Sequence, residues 1–129
     1  MLVRWLLVCL GGALGTGVRY GINLWALRRW GESFPWGTFG ANVLGCFLIA
    51  CVTRYCAERA DISLTIRLAL TTGFMGGLTT YSAFNLETTR MWQGGQARLA
   101  ALNFVATTVA CLMAGLVGAA LARRIAIAG

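Results

Sequence analysis

The residues of this chain that could do chemistry are few, and nearly all of them lie inside apolar runs. Residues 71–82 read TTGFMGGLTTYS, and eight of those twelve are Gly, Thr or Ser in the middle of a long hydrophobic stretch. Glycine costs about 1 kcal/mol relative to alanine in a helix, so Gly73, Gly76 and Gly77 with their flanking threonines predict a local break. A break inside a membrane survives only where it is buried in protein or lines a cavity. It leaves free carbonyls at the end of one half-helix, which suit cations, and free amides at the start of the next, which suit anions. Tyr81 and Phe84 follow at a spacing of three, on one helical face. Their ring edges carry partial positive charge and could touch a small anion, although packing is the commoner use of such a pair. Glu87, one turn further, is the one acid within an apolar segment and is expected to pair with an arginine near the segment's end.

Polar residues recur at helical spacing elsewhere. Gly11, Gly15, Arg19 and Asn23 are four apart and share a face. The glycines read as a packing seam of small residues. Arg19 is too deep in an apolar run to be idle, and it either snorkels outward or faces water or a partner. Thr38, Asn42 and Gly45 share a face of a second segment. Asn42 must be paired there, either cementing a helix contact or offering its N–H groups to a buried ligand, and spacing alone favours the helix contact. Asn103, Thr107, Cys111 and Gly118 form a similar stripe in a fourth segment, able to hand a small solute along or to hold helices together. The five cysteines, Cys9, Cys46, Cys51, Cys56 and Cys111, show no CxxC or Cys/His ligand spacing and read as small apolar fillers. With no histidine and no paired carboxylates, the chain lacks the groups that acid–base or metal-assisted catalysis requires, and an enzyme is not expected.

The elements that must hold these residues are set by composition. Of 129 residues, 58% are hydrophobic and only 12% charged, too apolar for a soluble domain of this size. An all-α integral membrane protein of one domain is expected. At about 20 residues per crossing, the length accommodates four helices with short loops. They are placed at about 3–27, 36–53, 67–92 and 99–121, with the third broken in mid-membrane. The charge is +7 and all eleven basic residues are arginine, but these punctuate the ends of apolar runs and form no patch for nucleic acid. The side holding both termini carries Arg4, Arg54, Arg59, Arg67, Arg123 and Arg124, while the other carries Arg28, Arg29, Arg90 and Arg98. So small a difference fixes no orientation, which is what a protein inserting both ways would show.

Taken together, GGALGTGVRY at 11–20, GTFGANVLGCF at 37–47, GFMGGLTTYSAF with Glu87 at 73–87, and NxxxTxxxCxxxxxxG at 103–118 resemble the CrcB-type fluoride exporters, also called Fluc channels. The motifs fall in all four segments and in the family's order. The resemblance implies an antiparallel homodimer of four-helix subunits in the bacterial inner membrane, conducting fluoride passively out of the cytoplasm through two pores. It implies a structural sodium ion at the dimer centre, bound by the main-chain carbonyls of Gly76 and Thr79. It places Asn42, Tyr81, Ser82, Phe84 and Thr38 at the pore, continues a polar track through Asn103 and Thr107, and puts Arg19 in a vestibule. Tyr81 stands where the family commonly has phenylalanine, Asn103 where many members have tyrosine, and Cys111 where many have serine or glycine. Small multidrug transporters share the length and helix number but depend on a carboxylate in the first helix, where this chain has Arg19 and no acid. A non-transporting accessory protein would need no central polar break.

Overall fold

The computed structural model describes residues 1–59 and 61–128, and every regular element among them is helical. Helix α1 spans Leu2–Trp30 and α2 spans Trp36–Ala57. A third stretch begins with α3, Leu64–Leu68, continues as a π-helical segment, Ala69–Met75, and closes with the single turn α4, Gly76–Leu78. After two extended residues, α5 covers Tyr81–Gln93, and α6 runs over Ala97–Ala128. Helices α1, α2 and α6 are each long and apolar enough to cross a membrane. Gly31 and Gly95 end the helices before them at φ of 72° and 78°, a left-handed backbone that a side chain would strain.

Burial is inverted relative to a soluble domain. Leu2, Trp5, Leu6, Leu10, Leu14, Leu112 and Leu116 are exposed. The interior instead holds small and polar residues: Ala26, Thr38, Ala41, Asn42, Asn103 and Thr107 are buried, and Asn103 is among the largest fully buried side chains. In hydrocarbon, helix association gains nothing from hiding leucine, and close packing with side-chain hydrogen bonds takes its place. Helix α2 lies along α6, α1 packs on the π-helical segment and α4, and α5 packs on α6. Rings of Trp25, Trp30, Phe34, Trp36 and Phe39 gather around the α1–α2 loop, with neighbouring centroids 4.7–6.2 Å apart. Such a cluster marks a headgroup level.

The third stretch corrects the expected position of the break. Gly73, Gly76 and Gly77 all stay helical, and the chain opens only at Thr79 and Thr80, with φ/ψ of −90°/153° and −152°/111°. The glycines serve close approach instead. A Cβ at Gly73 would sit 2.6 Å from the Val8 carbonyl oxygen, and one at Gly77 would sit 2.9 Å from the Thr16 amide. From the other side, a Cβ at Gly15 would sit 2.9 Å from the Leu78 amide. The backbones of α1 and the third stretch therefore touch through facing glycines, which is the packing seam expected for Gly11 and Gly15. The opening falls on two β-branched residues, which tolerate extended backbone well. The other helices also outrun their expected ends, α1 reaching Trp30, α2 Ala57 and α6 Ala128.

Candidate functional site at the broken helix

The opening at Thr79–Thr80 is held by Asn42. Its Oδ1 accepts from the Thr80 amide at 2.7 Å, and its Nδ2 donates to the Thr80 carbonyl at 3.1 Å. One side-chain amide thus takes both main-chain groups of a residue 38 positions away. The helix contact favoured by spacing is present. Because an amide nitrogen carries two hydrogens, Asn42 keeps a second N–H for another acceptor.

This clamp decides which main-chain groups are left over. In an unbroken helix the Thr80 amide would close on the Gly76 carbonyl, but here it is bound to Asn42. The Ala83 amide, which would close on the Thr79 carbonyl, is instead bound by the Thr80 hydroxyl at 3.1 Å, the N-cap of α5. Gly76 and Thr79 are thus two of the four residues, Gly76 to Thr79, whose carbonyls lose their regular helical partners at the break. Gly76 is exposed on the surface of the single chain and Thr79 is partly so. Arg19 donates from Nε to the neighbouring Gly77 carbonyl at 2.9 Å. It is thereby tied to the end of α4, and it is not among the residues that line the groove described next.

Beside the break lies a groove of about 330 Å³, lined by Asn42, Cys46, Thr79, Thr80, Tyr81, Phe84, Thr107, Thr108, Cys111 and Leu112. Phe84 is buried and Tyr81 is exposed, with ring centroids 5.6 Å apart. Phe104 of α6 stacks on Phe84 with ring centroids 6.2 Å apart, and Phe84 itself lines the groove. Thr107 donates to Asn103 Oδ1 at 3.2 Å, Asn103 Nδ2 to the Thr88 hydroxyl at 2.8 Å, and Thr88 to the Phe84 carbonyl at 2.7 Å. Two residues of the stripe expected on the fourth segment, Asn103 and Thr107, therefore belong to a connected hydrogen-bond chain that ties α6 to α5. Ser82 is exposed, with its hydroxyl 3.1 Å from that of Thr80, and it does not line the groove.

A larger cavity of about 640 Å³ opens among the α1–α2 loop, α5 and the start of α6, with Glu32, Thr38, Glu87, Arg90 and Gln96 in its lining. Thr38 donates to Glu87 Oε1 at 2.6 Å. Glu87 is thus held by a threonine of α2, not by an arginine as expected, and its Oε2 is buried with no partner among the described residues. Thr38, which lines the larger cavity, and Asn42, which lines the groove, are one turn of α2 apart, about 6 Å along the helix axis. Of the residues expected at a site, the groove brings together Asn42, Tyr81, Phe84 and Thr107, while Thr38 lines the larger cavity and Asn103 is bonded to Thr107 without lining either opening. Thr80 and Thr88, which make the clamp and the track, were not anticipated from sequence. The signal available for Thr80 was its place just before the second half-helix, three residues ahead of Ala83, where a threonine caps readily.

A family profile described as CrcB-like protein, Camphor Resistance (CrcB), matches residues 6–119. Among similar proteins, one from Sorangium cellulosum named a fluoride-specific ion channel FluC is 45% identical over 127 residues, covering 95% of this chain and 96% of the relative. A protein of the same name from Rhizobium johnstonii is 39% identical over 125 residues, covering 97% and 100%. Another from Anaeromyxobacter sp. is 45% identical over 125 residues, covering 97% and 99%. With a profile spanning most of its length and relatives matched nearly end to end, this chain belongs to the CrcB family.

Proposed function

We propose that this chain is a fluoride-specific channel of the plasma membrane, the bacterial inner membrane, conducting fluoride passively out of the cytoplasm as an antiparallel homodimer with two pores. The observation that carries it is the groove in which the Asn42 amide, the Phe84 ring and the Thr107 hydroxyl converge on a clamped helix break, in a chain whose near full-length relatives are named fluoride-specific channels. In this reading the third stretch, from Leu64 to Gln93, is the fourth crossing, long enough at 1.5 Å per helical residue even with its break.

Fluoride gives up hydration only to good hydrogen-bond donors, while a full positive charge in the path would hold it too long. The groove offers what that requires. Asn42 presents its second N–H. The edges of Phe84 and Tyr81 supply weak positive potential, and the Ser82 hydroxyl, outside the groove and 3.1 Å from that of Thr80, adds a donor on the approach. The Thr107 hydroxyl can swing from Asn103 to a passing anion and back, since hydroxyl rotors follow their surroundings. Thr38, at the floor of the larger cavity, passes the ion toward Asn42. Arg19 raises the anion potential at a distance, without entering the path.

The freed carbonyls of Gly76 and Thr79 fit a sodium ion, a hard cation that takes oxygen ligands and accepts neutral ones. Four such oxygens, two from each subunit, would hold a structural sodium at the dimer centre. Its chemistry is that of a bridge, and it is not transported. The partly exposed position of both residues in the single chain supports a second copy of the chain as the other half of the site.

Growth tests the reading. In a bacterial strain lacking its fluoride exporter, expression of this chain restores growth in fluoride, and Phe84→Ile at equal abundance does not. Failure of the correctly inserted chain to restore growth would overturn it.

A further inference from the structure

We propose that Cys46 and Cys111 form a two-coordinate site for a thiophilic d10 cation (mercuric, silver or cuprous ion) in the wall of the groove beside the helix break. The two side chains come from α2 and α6, which pack along each other, and both line the groove. Each is one helical turn beyond a polar residue of the same groove, Cys46 after Asn42 and Cys111 after Thr107, so each helix repeats its inward face. The pairing is held in register by the packing around it. Gly115 of α6 lies under the Cys46 carbonyl, where an added Cβ would be 3.8 Å away, and Cys51 donates to the Gly118 carbonyl at 3.3 Å. Both cysteines are free and half-buried.

The ligand set selects the ion. Sulfur ligands prefer soft cations. Among the described residues no group of three or more Cys, His, Asp or Glu side chains comes together, so a tetrahedral zinc ion would lack half its ligands. A linear d10 cation is satisfied by two thiolates. Binding breaks the S–H bond of each cysteine and forms two sulfur–metal bonds; two protons leave to water through the groove, and no electron is transferred.

An ion seated there occupies the wall one turn from both Asn42 and Thr107, and it narrows the groove where the proposed anion path runs. That consequence rests on the channel reading, whereas binding does not. The test uses mercuric ion alone. Purified protein is loaded with one equivalent and desalted against a monothiol that strips ions held by a single cysteine, and retained mercury is measured per chain. Wild type is expected to keep one ion, as are Cys9→Ser and Cys51→Ser, while Cys46→Ser and Cys111→Ser keep none. In liposomes, mercury should slow wild-type fluoride efflux roughly tenfold or more by obstructing the path, and leave each pair variant at its own untreated rate. Equal retention in wild type and the pair variants, no retention in wild type, or bound mercury without slowing would each overturn the proposal. Were no protein to pass fluoride at all, the channel reading would fail while mercury retention still decided the site.

Discussion

The amide of Asn42 holds both main-chain groups of Thr80 and so sets where the third stretch opens. Asn42→Ala would leave the Thr80 amide and carbonyl unpaired in a half-buried place, at up to about 1–3 kcal/mol per orphaned group. A lower unfolding temperature in detergent, together with lost fluoride flux, is the expected outcome. Asn42→Asp separates the two roles. It keeps an acceptor for the Thr80 amide but removes the N–H groups and adds a negative charge, so it should retain more stability than Asn42→Ala while passing no more fluoride. The track residues behave differently. Asn103→Leu would cut the chain from Thr107 to Thr88, and the prediction is looser packing of α5 on α6 with flux reduced less than by Phe84→Ile. Thermal unfolding and efflux measured on the same preparations check both.

At the scale of the elements, facing glycines bring α1 against the third stretch, and this contact makes a directional prediction. Gly15→Ala would drive a methyl group into the Leu78 amide, at 2.9 Å before any relaxation, and should destabilise the protein by about 1–3 kcal/mol. Gly17→Ala and Gly21→Ala have open space around the added carbon and should be neutral or gain up to about 1 kcal/mol from helix propensity. Comparing the three unfolding temperatures separates packing from propensity. The same glycines show what could be read from the sequence and what could not. Spacing of four exposed the seam on α1, since it depends on one helix alone. The break was placed too broadly because glycine serves both flexibility and close approach, and one sequence does not say which. Its true position follows from Asn42, 38 residues before the Thr80 that it clamps, and no local pattern carries that distance. The same holds for Arg19 on the Gly77 carbonyl and for Glu87 held by Thr38, partners joined only by the fold.

For the whole molecule, the near balance of arginines between the two ends is tied to the proposed antiparallel pair, because such a pair needs chains inserted in both directions. Arg28 and Arg29 are exposed at the end of α1. Arg28→Gln with Arg29→Gln leaves two arginines against six and should fix the termini in the cytoplasm. Labelling of a terminal tag from each side is expected to shift from a mixture to one orientation, and flux per protein should fall several-fold, although neither residue touches the groove. A variant that inserts one way and conducts undiminished would count against the antiparallel arrangement. The central claim is met most directly by efflux of fluoride and chloride, side by side, from liposomes holding the purified protein. Rapid loss of fluoride with chloride retained, abolished by Phe84→Ile, is the predicted result; comparable loss of both anions, or loss of neither from folded protein, would contradict it.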